Sequence, residues 1–167
     1  MRNKPPYNVR INRNTSKVVV TFTEVFEGFE NVPPVRKTFG KNTKNVLSSL
    51  KVHIPKKAKW NYMWIDDNKG RLVVSRSYLK RGNSLLLYLD VIHELVHIKQ
   101  HRQGKDLFDE KYEYVDRPTE IEAYKTAARE AKRIGWSKSE IIKYLEVKGW
   151  IDGNVLKRLC KNIGMQK

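Results

Sequence analysis

The chain has one cysteine, Cys160. That excludes an internal disulfide and any zinc site built on clustered thiolates. It also lacks a long apolar run. The nearest approach, Leu85 to Val96, is interrupted by Asp90, His93 and Glu94, well short of the roughly 20 apolar residues a membrane span needs. The opening Met1-Arg-Asn-Lys-Pro-Pro has no apolar core of the secretory-signal kind. The expectation is an intracellular, cytoplasmic protein without a membrane span. Acidic residues are scarce: 18 Asp and Glu stand against 34 Lys and Arg, a formal charge of +16. Such a field attracts polyanions such as nucleic acid, acidic lipid surfaces or acidic proteins. The cations are spread along the whole chain, with no Arg/Gly-rich tail, so nucleic acid stays one candidate partner on charge alone. No internal repeat and no low-complexity segment interrupts the sequence.

What is present is enough for one domain with a real core: 167 residues, 40% of them hydrophobic, with Trp60, Trp64, Trp136 and Trp150 spread along the chain. Residues 1–58 read as a β-rich segment with one short helix. Val9 and Ile11 alternate with polar residues, Asn12 to Ser16 is a turn cluster, and Val18 to Thr23 alternates as a strand does. A hairpin around that turn is the expectation. Pro33-Pro34 punctuates the next stretch, and Thr43 to Leu50 suits one short helix. This segment either extends the sheet of the remainder, 59–167, or covers a cleft in it. Residues 59–78 read as a second hairpin around Asp66 to Gly70, with Trp60, Tyr62 and Trp64 on one face.

A long helix follows from Ser84, capped by Asn83 or Ser84 and ended by Gly104. It contains His93-Glu94-Leu95-Val96-His97. Residues four apart share a helix face, so His93 and His97 can offer two imidazole nitrogens to one ion. Glu94 lies one position on, where it can reach an activated water without being a ligand. His101 extends the spacing by another four, but about 6 Å further along the axis, too far for the same ion. It reads as a surface histidine, and His53 as structural.

A catalytic zinc needs a third protein ligand. Two glutamates compete for that place in Arg117-Pro-Thr-Glu120-Ile-Glu122, and two positions apart on a helix point about 200° apart. Ile121, Tyr124, Ala127, Ala128, Ala131 and Ile134 mark the apolar side. Glu120 falls within that arc, where a carboxylate is costly unless paired or bound to metal. Glu122 falls opposite, as a solvent-facing partner for Lys125 or Arg129. It is the alternative third ligand.

These residues resemble the gluzincin clan of zinc metallopeptidases. The run Arg117-x-x-Glu120-x-x-Ala123 with Ala127 is similar to the glutamate helix of minimal soluble gluzincins, and the resemblance spans about residues 60–134. It implies an α+β, zincin-like core: a small antiparallel sheet, a zinc-binding helix, a glutamate helix and helical C-terminal packing. It implies one Zn2+ held by His93, His97 and Glu120, Glu94 as general base, and a peptide or protein substrate. It also implies that flanking segments hold some members latent. The family's orienting Asp, four residues after the ligand glutamate, is Tyr124 here. For the oxyanion, Tyr112, Tyr114, Arg117 and Tyr124 are all candidates. The pattern argues against a metzincin, because Gly104 and the residues after it do not supply the His-x-x-Gly-x-x-His extension.

The C-terminus carries a capping box at Ser137 to Glu140, a helix to about Lys148 stopped by Gly149, and a last helix capped by Asp152. Two closing helices over the core are the simpler reading. A basic helix-turn-helix is the other, and it belongs with a non-catalytic, regulatory metalloprotein that binds nucleic acid.

Overall fold

A computed structural model of the chain describes residues 4–146 and 152–165. In order, the elements are β1 (Arg10–Ile11), β2 (Val19–Thr21), α1 (Phe22–Val25), β3 (Phe26–Glu27), α2 (Pro33–Phe39), α3 (Thr43–Ser49), β4 (Lys51–His53), β5 (Met63–Asp66), β6 (Arg71–Val74), α4 (Arg76–Arg81), α5 (Ser84–Arg102), α6 (Pro118–Arg133), α7 (Lys138–Glu146) and α8 (Gly153–Asn162). The fold is α+β with a helical C-terminus. Its main sheet runs β2-β4-β6-β5, antiparallel at both edges, with one parallel pair, β4 to β6, in the middle.

Residues 4–58 differ from the sequence reading in detail. The strand read over Val18 to Thr23 stops at Thr21, because Glu24 accepts the Thr21 backbone N–H at 2.7 Å and starts α1 instead. Pro33 opens α2 rather than merely breaking the chain, since its fixed φ suits a first helical turn. The hairpin around Asn12 to Ser16 does not form. There β1 pairs with β3, and β2 with β4. The side chains of Arg13 and Arg76 explain it. Arg13 donates to the Leu79 carbonyl at 2.9 Å, and Arg76 donates to the Thr15 carbonyl at 2.7 Å. The loop is thereby tied to α4, not folded back as a turn.

The strands β2 and β4 add to the sheet that carries β5 and β6. Phe22, Phe26, Phe29, Val52 and Ile54 lie in the same apolar cluster as Leu87 and Tyr88 of α5. Phe29 meets Tyr88 with ring centroids 5.6 Å apart. Residues 59–78 form the expected antiparallel pair, β5 with β6, and β5 is an open edge. Helix α4 separates β6 from α5, where the sequence suggested a direct connection.

Helix α5 runs through the middle of the molecule. Residues Leu85 and Leu87 to Ile98 are all buried, so it is apolar nearly all round and not amphipathic. Asn83 caps it, accepting from Leu85 and Leu86 N–H. At its far end, His101 Nε2 donates to the Asp67 carbonyl at 2.7 Å, and its ring lies over Gly70. A side chain at Gly70 would fall 2.8 Å from that ring, and its φ of +55° is also one that favours glycine. His101 thus fastens α5 to the β5–β6 turn and is more than a surface residue.

Helix α6 packs along α5. Pro118 sits at its start and Gly135, with φ +97°, lies just past its end. Helix α7 opens on the Ser137–Glu140 capping box. The proposed end at Lys148, the Gly149 stop and Trp150 lie outside the described residues. Asp152 caps α8, and Leu159 anchors that helix in the core. No helix among the described residues is long and apolar enough to cross a membrane.

Candidate metal centre

Buried polar atoms converge where α5 meets the first turn of α6. His93 and His97, one turn apart on α5, bring their Nε2 atoms to 3.0 Å. Glu120 places Oε2 3.4 Å from His93 Nε2 and 3.5 Å from His97 Nε2. The three residues are 1%, 5% and 7% exposed. One ligand atom from each lies within 4.8 Å of the others, so the group could hold a metal ion. Glu120 Oε2 is fully buried and makes no hydrogen bond among the described residues, which is the cost that metal coordination removes. Two imidazole nitrogens and one carboxylate oxygen suit a first-row transition ion, not the all-oxygen shell calcium takes.

Gln100 determines which nitrogen of His97 faces the cluster. Its Nε2 donates to the Thr119 carbonyl at 3.0 Å and to Glu122 Oε2 at 2.9 Å. Both partners are acceptors, so the amide nitrogen must point at them. Gln100 Oε1 then faces His97 Nδ1 at 2.8 Å and takes its proton. The lone pair of neutral His97 is therefore on Nε2, toward Glu120 and His93. Sequence reading missed Gln100. The available signal was a polar residue three after His97, on the same helix side.

Without metal, charge gathers here. Burial opposes a positive His97, but Glu120 and Glu94 outweigh it and raise its pKa to about 9. Burial likewise opposes the Glu120 carboxylate, yet the His93 and His97 rings hold its pKa well below the carboxylate range.

Glu122, the alternative third ligand, lies outside this group. It pairs with Lys99 and Lys105 and accepts from Gln100. Its cations come from α5 and the loop after it, not from Lys125 or Arg129 as helical spacing suggested, because α5 packs beside that part of α6.

The remaining candidates separate clearly. The Tyr124 ring is fully buried against His93, centroids 4.4 Å apart at 64°. Its hydroxyl meets that of Tyr114 at 3.0 Å. Burial, with the Tyr124 hydroxyl and Glu120 beside it, pushes the Tyr114 pKa well up. Arg117 donates to the Asp109 carbonyl at 3.3 Å and lies over the Tyr114 ring. Tyr112 is exposed and away from the group. His53 meets Arg71 at 3.3 Å, remote from the centre.

A cleft of about 750 Å³ opens over the centre. His93, Glu94, His97 and Glu120 line it, with Tyr114 and Asp90. Glu94 is 4% exposed, so the cleft is its outlet to solvent. The edge strand β5 with Trp60, Tyr62 and Trp64 forms one wall, and Leu107 and Phe108 the other. No residue of 4–58 lines it. Helix α8 supports the Tyr114 side: Asn162 donates to the Val115 carbonyl at 2.9 Å, and Arg158 pairs with Glu113 and Asp116. Asp90 is a second buried carboxylate that sequence reading passed over. It accepts from the Tyr144 hydroxyl at 2.9 Å and from Tyr78 at 2.5 Å. Compared with models of protein families, with curated proteins and with solved structures, the chain matches none.

Proposed function

We propose that the protein is a zinc-dependent metallopeptidase of the gluzincin type, hydrolysing peptide bonds. The observation that carries this reading is the convergence of His93, His97 and Glu120 beside Glu94 at the floor of one cleft. In this reading the three residues hold one zinc ion and the surrounding α+β scaffold serves as a zincin-like core. A bound zinc supplies Lewis acidity, acidifying water toward neutral pH and polarising a carbonyl.

The chain's own groups do the rest. Glu94 takes one proton from water as the water oxygen bonds to the scissile carbonyl carbon, and passes it to the leaving amine as the C–N bond breaks. One acid and one amine result, and Glu94 ends as it began. Tyr114 is the oxyanion donor of choice, because of the four candidates it alone lines the cleft. Arg117 and Tyr124 position it from behind. The open edge of β5 offers backbone groups to an extended peptide.

The test has two parts. Protein purified without added metal is assayed for zinc, and an unbiased peptide library is digested with wild type and Glu94→Gln. Zinc near one per chain, with cleavage lost in the variant, supports the reading. Zinc binding unaffected by His97→Ala, or cleavage equal in wild type and Glu94→Gln, overturns it.

A further inference from the structure

Helix α6 has a second side that the metal centre does not use. Lys125, Arg129 and Lys132 follow each other along it at steps of four and three, and none has an ion-pair partner among the described residues. Nearby acids are already engaged. Glu122 is held by Lys99 and Lys105, and Glu130 by Arg133 and Tyr88. Two clefts flank the ridge and share Lys125 and Arg129. One, of about 430 Å³, lies between α2 and α6 and adds Lys37, with the Lys99–Glu122 and Arg133–Glu130 pairs in its wall. The other, of about 460 Å³, adds Lys132 and Lys138 around the half-buried Trp136.

We propose that this face binds the phosphate backbone of nucleic acid. Cations in the last turn of a helix are explained by its dipole, which accounts for Lys132. Lys125 and Arg129 lie earlier and gain nothing from it. Lys125 and Lys132 stand about 10 Å apart along the axis, the axial rise of about three base pairs of a duplex at about 3.4 Å each. A membrane surface suits the face less well. Among the described residues, the large exposed apolar side chains are Val19, Trp60, Phe108 and Tyr112, and none lines either cleft. Apolar insertion has no anchor here. The face does not depend on the metal reading, since it lies on the other side of α6 from Glu120.

The experiment measures binding of the full chain to a labelled single-stranded oligonucleotide and its duplex by fluorescence anisotropy, between about 50 and 200 mM salt. The variant Lys125→Gln/Arg129→Gln/Lys132→Gln is compared with Lys44→Gln/Lys56→Gln/Lys80→Gln. The control removes the same charge from exposed lysines that line neither cleft. The face variant is expected to weaken binding about tenfold or more and to lower the salt slope by about 2 to 3, with the control within about threefold of wild type. Arg129→Gln alone should lower the slope by about 1, which keeps the test valid if the triple variant misfolds. Glu94→Gln should bind as wild type does. Equal loss in both triple variants, or no binding by wild type at low salt, overturns the proposal. So does loss of binding to anionic vesicles with oligonucleotide binding unchanged, which would assign the face to lipid.

Discussion

Helix α6 buries two carboxylates against α5, and they are solved differently. Glu130, 2% exposed, is saturated. Tyr88 donates to Oε1 at 2.5 Å, and Arg133 grips both oxygens at 2.6 Å. Glu120, equally inward, faces two imidazole nitrogens and leaves Oε2 without a hydrogen bond. Glu130 is a fastening: its partners are donors and nothing more is needed. Glu120 has the make-up of a socket: its neighbours are themselves potential ligands, so the group could hold a metal ion. The largest contrast expected follows from this. Glu120→Ala should abolish stoichiometric zinc while the chain stays folded. Glu130→Ala should keep zinc near wild type but cost about 1 to 3 kcal/mol of stability, because it leaves the buried Tyr88 hydroxyl unpaired. Metal analysis and chemical denaturation of both variants measure the contrast, and zinc loss in Glu130→Ala would erase it.

The next contrast lies within the socket. Gln100 does not line the cleft and holds the His97 ring by Nδ1. Gln100→Ala should weaken zinc binding about 10- to 100-fold, the usual effect of losing such a support. Gln100→Glu, which keeps an acceptor toward Nδ1, should restore part of it. A competition titration against a chelator reads both. An unchanged affinity in Gln100→Ala would mean that packing alone orients the ring.

How much of this was legible in the sequence depended on whether the cause was local. The spacing of His93 and His97, the caps at Asn83 and Ser137, and the inward place of Glu120 follow from helical periodicity, and the structure shows each. The pairing of β1 with β3, and of Glu122 with Lys99, depends on which elements become neighbours, and no local pattern encodes that. Gln100, Asp90 and Glu130 belong to the same class. Each is a polar residue in a helix, identical in sequence to a surface residue until its partner from another element is known. Val18 to Thr23 failed for a smaller reason. A strand-like alternation was overruled by one capping glutamate.

Protons give a milder effect. In the metal-free chain the raised His97 pKa, from 6.5 to about 9, contributes stability that is fully present below pH 6.5 and lost as pH rises through 9. The depressed Glu120 contributes above pH 4.5, and loses its share as pH falls below that. Zinc must displace the His97 Nε2 proton, so binding should release about one proton at neutral pH and tighten about tenfold per unit between pH 7 and 8. Calorimetry in buffers of different ionisation enthalpy counts the proton. A count of zero would mean that His97 is neutral before metal arrives.

The smallest effect concerns Tyr124, where the resembling family places an orienting Asp. Here the ring meets His93, and the hydroxyl meets that of Tyr114. Packing can hold an imidazole as well as a hydrogen bond can, provided no void lets it turn. Tyr124→Phe keeps that packing. It should lower stability by only about 1 kcal/mol, the net worth of one hydrogen bond, and leave zinc affinity within about threefold of wild type, far below the 10- to 100-fold cost of a lost orienting partner. Tyr124→Ala, which opens a cavity beside His93, should weaken zinc binding and destabilise the chain together. If Tyr124→Phe instead loses affinity as Gln100→Ala does, the hydroxyl acts on the metal site through Tyr114, and the tyrosine replaces the aspartate by hydrogen bonding and not by shape.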